Sequence, residues 1–211
     1  MKHTFLSEIT GLIHVGANNG QERVLYDKFD IDVLWVEAIP EVYANLQVNI
    51  AEYAKQTALC ALITDVDNEV CDFNVASNDG NSSSILELAG HRDISPEVYY
   101  VDKLTLSSIT LPSLLSSNNI DMSKYQAIVL DTHGTELRVL QGMGPLLKQF
   151  KYVLTEAADF EVYEKCCQVK DLSKYLYKFG FLELDRKVLI KHPVKGKYYD
   201  ILYENKLNTL C

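Results

Sequence analysis

Leu12-Ile13-His14-Val15-Gly16-Ala17-Asn18-Asn19-Gly20 decides the fold of this chain. Leu12, Ile13 and Val15 form an apolar, partly β-branched run, and a parallel strand with helices on both faces needs no polar alternation. Gly16 and Gly20 then let the backbone turn tightly and approach a ligand with no Cβ in the way. Val24, Leu25 and Phe29 recur at roughly helical spacing, which predicts a helix over Gln21 to Phe29 whose first amides face that ligand. A second apolar strand, Leu34-Trp35-Val36, runs into Glu37-Ala38. Glu37 thus stands about twenty residues beyond the glycine turn, where a doubly wound sheet places the acid that binds ribose hydroxyls.

The glycine spacing also bears on the cofactor. A dinucleotide site wants G-x-G-x-x-G, and Gly16-x-x-x-Gly20 matches it poorly. A loop of this kind with an acid after the second strand fits adenosyl ligands without phosphates, of which S-adenosyl-L-methionine is the commonest. The alternative reading of the loop alone is an α/β turn that happens to hold two glycines.

The chain has 211 residues, enough for one α/β domain with a substantial core and no need of a second. Lys and Arg number 20 against 29 Asp and Glu, a formal charge of −9, which works against a nucleic-acid partner. No apolar run is long enough to span a bilayer, and Met1 to Glu8 lacks the apolar core of a signal peptide, so the expectation is a cytoplasmic protein without a membrane partner. The five cysteines, Cys60, Cys71, Cys166, Cys167 and Cys211, show no Cys-x-x-Cys pair and read as free thiols, with Cys60 a small core hydrophobe.

Strand and helix signals alternate along the rest of the chain. Pro40 at a first helical position, with Tyr43, Leu46, Ile50 and Tyr53, predicts a helix from Pro40 to Lys55. Gln56 to Ile63 reads as a third strand and Val70 to Ser77 as an added antiparallel one. Asn78 to Ser84 is a loop by composition. Leu111 to Asn118 is a short helix, and Ala127-Ile128-Val129-Leu130 is a buried strand with Asp131 at its ligand-binding end. Gly134 to Phe150 is helical with a break near Gly142 to Pro145. Lys151 to Glu156 is a fifth strand, Asp171 to Phe179 a helix, and Gly180 to Asp185 and Lys197 to Tyr203 a final strand pair. That pair suits a methyltransferase sheet, whose last strand inserts antiparallel, better than a dehydrogenase.

Four blocks, Val15 to Gly20, Val36-Glu37-Ala38, Ser82-Ser83-Ser84 and Leu130 to Gly142, occur in an order that resembles the FkbM-type family of S-adenosylmethionine-dependent methyltransferases. The resemblance covers about Leu12 to Phe181, and its most specific part is Asp131-x-x-Gly134-x-Glu136-Leu137-x-Val139-Leu140-x-Gly142. It implies a Rossmann-like α/β fold, a mostly parallel sheet with an antiparallel last strand and helices on both faces. It also implies transfer of a methyl group to a hydroxyl of a sugar, glycan or specialised metabolite, and Ser83 and Ser84 in the pocket. The chain departs from the family where His14 replaces an acid, Val129 a lysine, His133 a glutamate, and Leu111-Pro112 a Leu-Asp pair.

The expected cofactor contacts are His14, Gly16, Ala17, Asn18, Asn19, Gly20, Glu37, Ala38, Ser83 and Asp131. His133, Asp131 and Glu156 are the candidate catalytic residues. A neutral His133 oriented by Asp131 would serve as general base for a hydroxyl acceptor; the alternative is a histidine that caps the following helix or bonds to Asp131. Asp131 and Glu156 also form a pair that a divalent cation would use, as in catechol-type methyltransferases, although no Asp-Asp or Asp-x-Asp pair completes the ligand set. Two rival classes remain, a nucleotide-dependent oxidoreductase and a methyltransferase-like module without catalysis.

Overall fold

The computed structural model describes residues 3–207, so Cys211 and the first two residues of the chain lie outside it. The apolar run becomes β1 (Gly11–Val15), buried along its whole length. The glycine loop leads to α1 (Arg23–Lys28), and β2 (Asp32–Glu37) and α2 (Pro40–Ile50) follow. α1 is shorter than predicted, and it buries Tyr26 while Val24 is exposed, because the loop keeps its turns as far as Glu22.

The predicted strand from Gln56 to Ile63 is two strands, β3 (Gln56–Cys60) and β4 (Leu62–Ile63). Ala61 between them donates its N–H to the Glu37 carbonyl at 2.9 Å, and the chain there passes from one sheet to another. Cys60 is exposed rather than buried, since β3 is an edge strand. β5 (Val70–Ala76) pairs antiparallel, as predicted, with a strand that sequence reading missed, β6 (Tyr100–Ile109). α3 (His91–Ile94) lies between them in the chain.

α4 (Leu111–Ser117) starts at Thr110, whose hydroxyl accepts the Ser113 N–H. β7 (Ala127–Leu130), α5 (Glu136–Met143), β8 (Tyr152–Ala158), α6 (Val169–Tyr177), β9 (Phe181–Lys191) and β10 (Lys197–Asn205) complete the chain. The predicted break after α5 is a 3-10 turn, Gly144–Gln149, with Pro145 in its first turn.

Seven strands form one sheet in the order β3-β2-β1-β7-β8-β10-β9, with β10 antiparallel to both neighbours and the other pairings parallel. One face packs α4, α5 and α6 around Leu114, Leu140 and Leu172; the other packs the 3-10 segment His3–Glu8, α1 and α2 around Trp35, Tyr26 and Leu46. β4, β6 and β5 make a separate small sheet beside the cleft. Strand order reverses between β1 and β7, so a crevice opens at their carboxyl ends, where an open α/β sheet binds its ligands. No helix among the described residues is long and apolar enough to cross a membrane.

Candidate active site

A cleft of about 190 Å³ occupies that crevice. Gly16 is held there by position: its φ is +83°, and a Cβ would fall 1.9 Å from the Asp131 carbonyl oxygen. Only glycine lets the β1 and β7 ends come this close. The Gly16 and Ala17 amides both donate to the Val36 carbonyl, which ties the loop to β2. Asn18, also at positive φ, donates its N–H to Glu37 Oε2 at 2.8 Å, while Ile39 N–H donates to Oε1 at 2.8 Å. Glu37 is 6% exposed. Burial pushes its carboxyl up, and the Ile39, Asn18 and Ala38 amides pull it back. Each oxygen keeps a lone pair for a further donor, such as a ribose hydroxyl.

His14, Gly16, Ala17, Asn18, Glu37, Ala38, Ser83, Asp131 and His133 all line the cleft. Asn19 and Gly20 do not. The Asn19 carbonyl accepts from Asn49 Nδ2, and Gly20 makes room for Leu46 of α2, whose Cδ1 lies 2.7 Å from where a Cβ would sit. Their role is to seat the glycine loop on α2. Ser83 Oγ accepts the Ala76 N–H on the wall of the cleft, whereas Ser84 turns away and donates to the His133 carbonyl at 2.8 Å.

The β7–α5 connection is set by Glu136, 1% exposed, whose carboxylate accepts the N–H groups of Thr132 and Gly134 at 3.1 Å. His133 is thereby fixed at φ +53°. Its Nε2 is 3.6 Å from Asp131 Oδ1, too far for a hydrogen bond, so Asp131 does not orient the ring. The ring instead meets Tyr163 edge-on at 5.9 Å. Burial lowers the His133 pKa and favours the neutral ring, while Glu136 opposes the shift. Asp131 Oδ1 and Thr132 Oγ1 are out of solvent with no hydrogen-bond partner. Burial and the nearby Glu136, Glu22, Asp200 and Glu37 push the Asp131 carboxyl well above the usual range.

Glu156 does not reach this cleft. It lines an adjoining cavity of about 170 Å³, which shares His14, Glu22 and Asp131 with the first. Burial and the neighbouring Asp131 and Asp200 push its carboxyl up as well. His14 stacks on Trp35 at 4.9 Å, with Nδ1 3.2 Å from the Tyr26 hydroxyl, and burial lowers its pKa to about 3. No group of three His, Cys, Asp or Glu among the described residues is arranged to hold a metal. Sequence reading missed Glu22 and Asp200, which come from a loop end and a strand interior and carry no local motif. It quoted Glu136 without giving it a role.

The family model for the methyltransferase FkbM domain matches residues 14–183. The chain belongs to this FkbM methyltransferase family. The nucleotide-dependent oxidoreductase alternative is set aside with it. The FkbM chain is also similar in fold to magnesium protoporphyrin IX methyltransferase from Synechocystis PCC 6803 with bound S-adenosylmethionine. The TM-score is 0.55 at 8% identity over 96% of this chain and 76% of that one. A second similar structure is TrmK of M. capricolum with S-adenosylhomocysteine, at a TM-score of 0.53 and 7% identity, over 96% of this chain and 67% of that one. No curated protein matches the chain by sequence.

Proposed function

We propose that this FkbM domain moves the methyl group of S-adenosylmethionine to a hydroxyl oxygen of a sugar, glycan or specialised metabolite, with Asp131 taking the hydroxyl proton. The observation that carries the reading is Asp131 itself, a half-buried carboxylate at the meeting of the two cavities, with one oxygen shielded from solvent and unpartnered. Glu37 supports the donor assignment, because its lone pairs suit a ribose diol. The donor, when bound, supplies an electrophilic methyl on a sulfonium. The chain's task is to hold the acceptor oxygen in line with that methyl at near-contact distance.

As the new carbon–oxygen bond forms, the carbon–sulfur bond breaks and its electron pair stays on sulfur. The hydroxyl proton passes to the Asp131 carboxylate and then to solvent. A carboxylate with a raised pKa is a better base near neutral pH than an ordinary one. His133 is neutral beside it and shapes the cleft.

Transfer of labelled methyl groups to hydroxyl acceptors tests this. Asp131→Asn should lower turnover about a hundredfold or more, while calorimetric affinity for S-adenosylhomocysteine changes little. A loss carried by His133→Ala instead moves the proton to the imidazole. Turnover abolished by EDTA and restored by Mg²⁺ points to a metal-assisted route. Intact donor binding without transfer to any acceptor makes the domain a binding module.

A further inference from the structure

The seven-stranded sheet ends in β3 on one side and β9 on the other. An edge strand presents a row of unpaired N–H and C=O groups, and folds ordinarily blunt such edges with proline, charge or short length. β3 is short, five residues from Gln56 to Cys60, none of them charged. β9 runs for 11 residues without a proline or glycine. Leu182, Leu184, Val188 and Ile190 stand exposed along it. Apolar side chains exposed singly are ordinary, whereas four on one edge strand mark a surface that another chain covers.

The register with β10 shows which of these side chains share a face. Leu182, Asp185, Lys187 and Ile190 lie opposite Glu204, Leu202, Asp200 and Tyr198, alternate residues of β10, and Leu202 packs into the core on the α1 face. Those four β9 residues therefore line the α1 face of the edge. Leu184 and Leu189 are the extra residues of two bulges, one on each side of Arg186, and 185–188 between them pairs regularly. Along the strand this face reads apolar, acid, base, apolar. Reversed, that order is its own complement. A two-fold axis through Arg186, perpendicular to the sheet, sets Leu182 of one copy against Ile190 of the other and Asp185 against Lys187, and each contact occurs twice. The charges inside one chain leave room for it. Asp185 faces the apolar Leu202 across β10, so its own sheet offers no cation there, while Lys187 faces Asp200. Arg186, which meets its own copy at the axis, is already matched: its Nε donates to Glu183 Oε1 at 2.9 Å, and its guanidinium lies 4.8 Å over the Tyr199 ring.

We propose that β9 is a dimer interface, pairing antiparallel with β9 of a second copy of this chain so that the two seven-stranded sheets become one. A contact that uses the same patch on both copies closes at two. Parallel pairing in register sets acid beside acid and base beside base, and the antiparallel arrangement sets the acidic half of each strand against the basic half of the other. The donor cleft opens at the ends of β1 and β7, inward of β8 and β10 in the strand order, so the interface leaves it free. The inference does not depend on the methyl-transfer reading.

Sedimentation velocity of the full chain tests it. At about 100 µM, where a dimer of micromolar affinity is mostly formed, the particle should have twice the mass of one chain. Asp185→Lys and Lys187→Asp should each weaken the dimer about tenfold or more, because one substitution turns two attractive contacts into repulsive ones. The double variant Asp185→Lys with Lys187→Asp exchanges the charges and should restore the dimer. Leu182→Gln, a change at an exposed side chain, should weaken it without altering charge, and unchanged far-ultraviolet circular dichroism reports that each variant folds. A particle of single-chain mass at this concentration overturns the proposal and leaves the edge to a different partner. A dimer indifferent to the single substitutions overturns it too, since the interface then lies elsewhere. Dissociation by the single charge changes without rescue by the pair overturns the two-fold register. Species larger than a dimer also overturn it, because β9 then pairs with the other edge, β3, in an open array.

Discussion

Glu37 holds the end of β2 by accepting two backbone amides, and the same carboxylate faces the cleft with lone pairs to spare. Glu37→Ala should therefore weaken S-adenosylmethionine binding by about 1.5–3 kcal/mol, the range for hydrogen bonds to a charged group; unchanged calorimetric affinity removes Glu37 from the donor site. His14 gives a prediction in pH. Its pKa falls from 6.5 to about 3 on folding, so between those values the unfolded chain binds the extra proton and stability drops as pH drops. From about pH 7 to pH 5, wild type should lose about 2 kcal/mol more than His14→Gln in denaturant unfolding, and a pH-independent difference between the two shows that His14 does not hold its depressed pKa in the folded state. Glu37 and Gly16 were legible in the sequence because a turn and a strand end announce them locally. The surroundings of Asp131 were not, since Glu22 and Asp200 meet it from 109 and 69 residues away along the chain (131 − 22 and 200 − 131).

Among the elements, α5 shows how a motif residue can be read correctly as special and wrongly as a break. Gly142 lies inside the helix, and a Cβ there would fall 2.4 Å from the Thr64 carbonyl oxygen. The helix is pulled onto that turn by Arg138, which pairs with Asp65 at 2.6 Å and with Glu69. Alanine for glycine in a free helix stabilises by about 1 kcal/mol. Here the sign should reverse: Gly142→Ala should cost about 1–3 kcal/mol through overpacking, read as a lower thermal midpoint, and a raised midpoint shows that α5 can move off the turn. β6 escaped sequence reading for a related reason. Half of its side chains are exposed, with Leu104 and Leu106 only partly buried, so backbone pairing with β4 and β5 rather than an apolar face makes it a strand.

At the scale of the whole molecule, the strand order places both cavities at or beside the carboxyl ends of the central strands, and this part of the architecture followed from alternating apolar runs and a final strand pair. Substrate choice depends on a coarser property as well, the charge of −9. Similar folds include a putative tRNA (m1A22) methyltransferase from Streptococcus pneumoniae, yet the fold does not carry that substrate to this chain. Phosphate-backbone binding draws its affinity from lysine and arginine neutralising phosphates, with release of condensed counterions. This chain has a surplus of acids, and the second cavity concentrates them. In filter-binding or anisotropy measurements with transfer RNA, the expected dissociation constant is weaker than about 100 µM at about 150 mM salt, beyond the ordinary non-specific range. Tighter binding that weakens steeply with added salt means that the chain presents a basic face to RNA despite its net charge, and the acceptor class would then be a nucleic acid rather than a small hydroxyl compound.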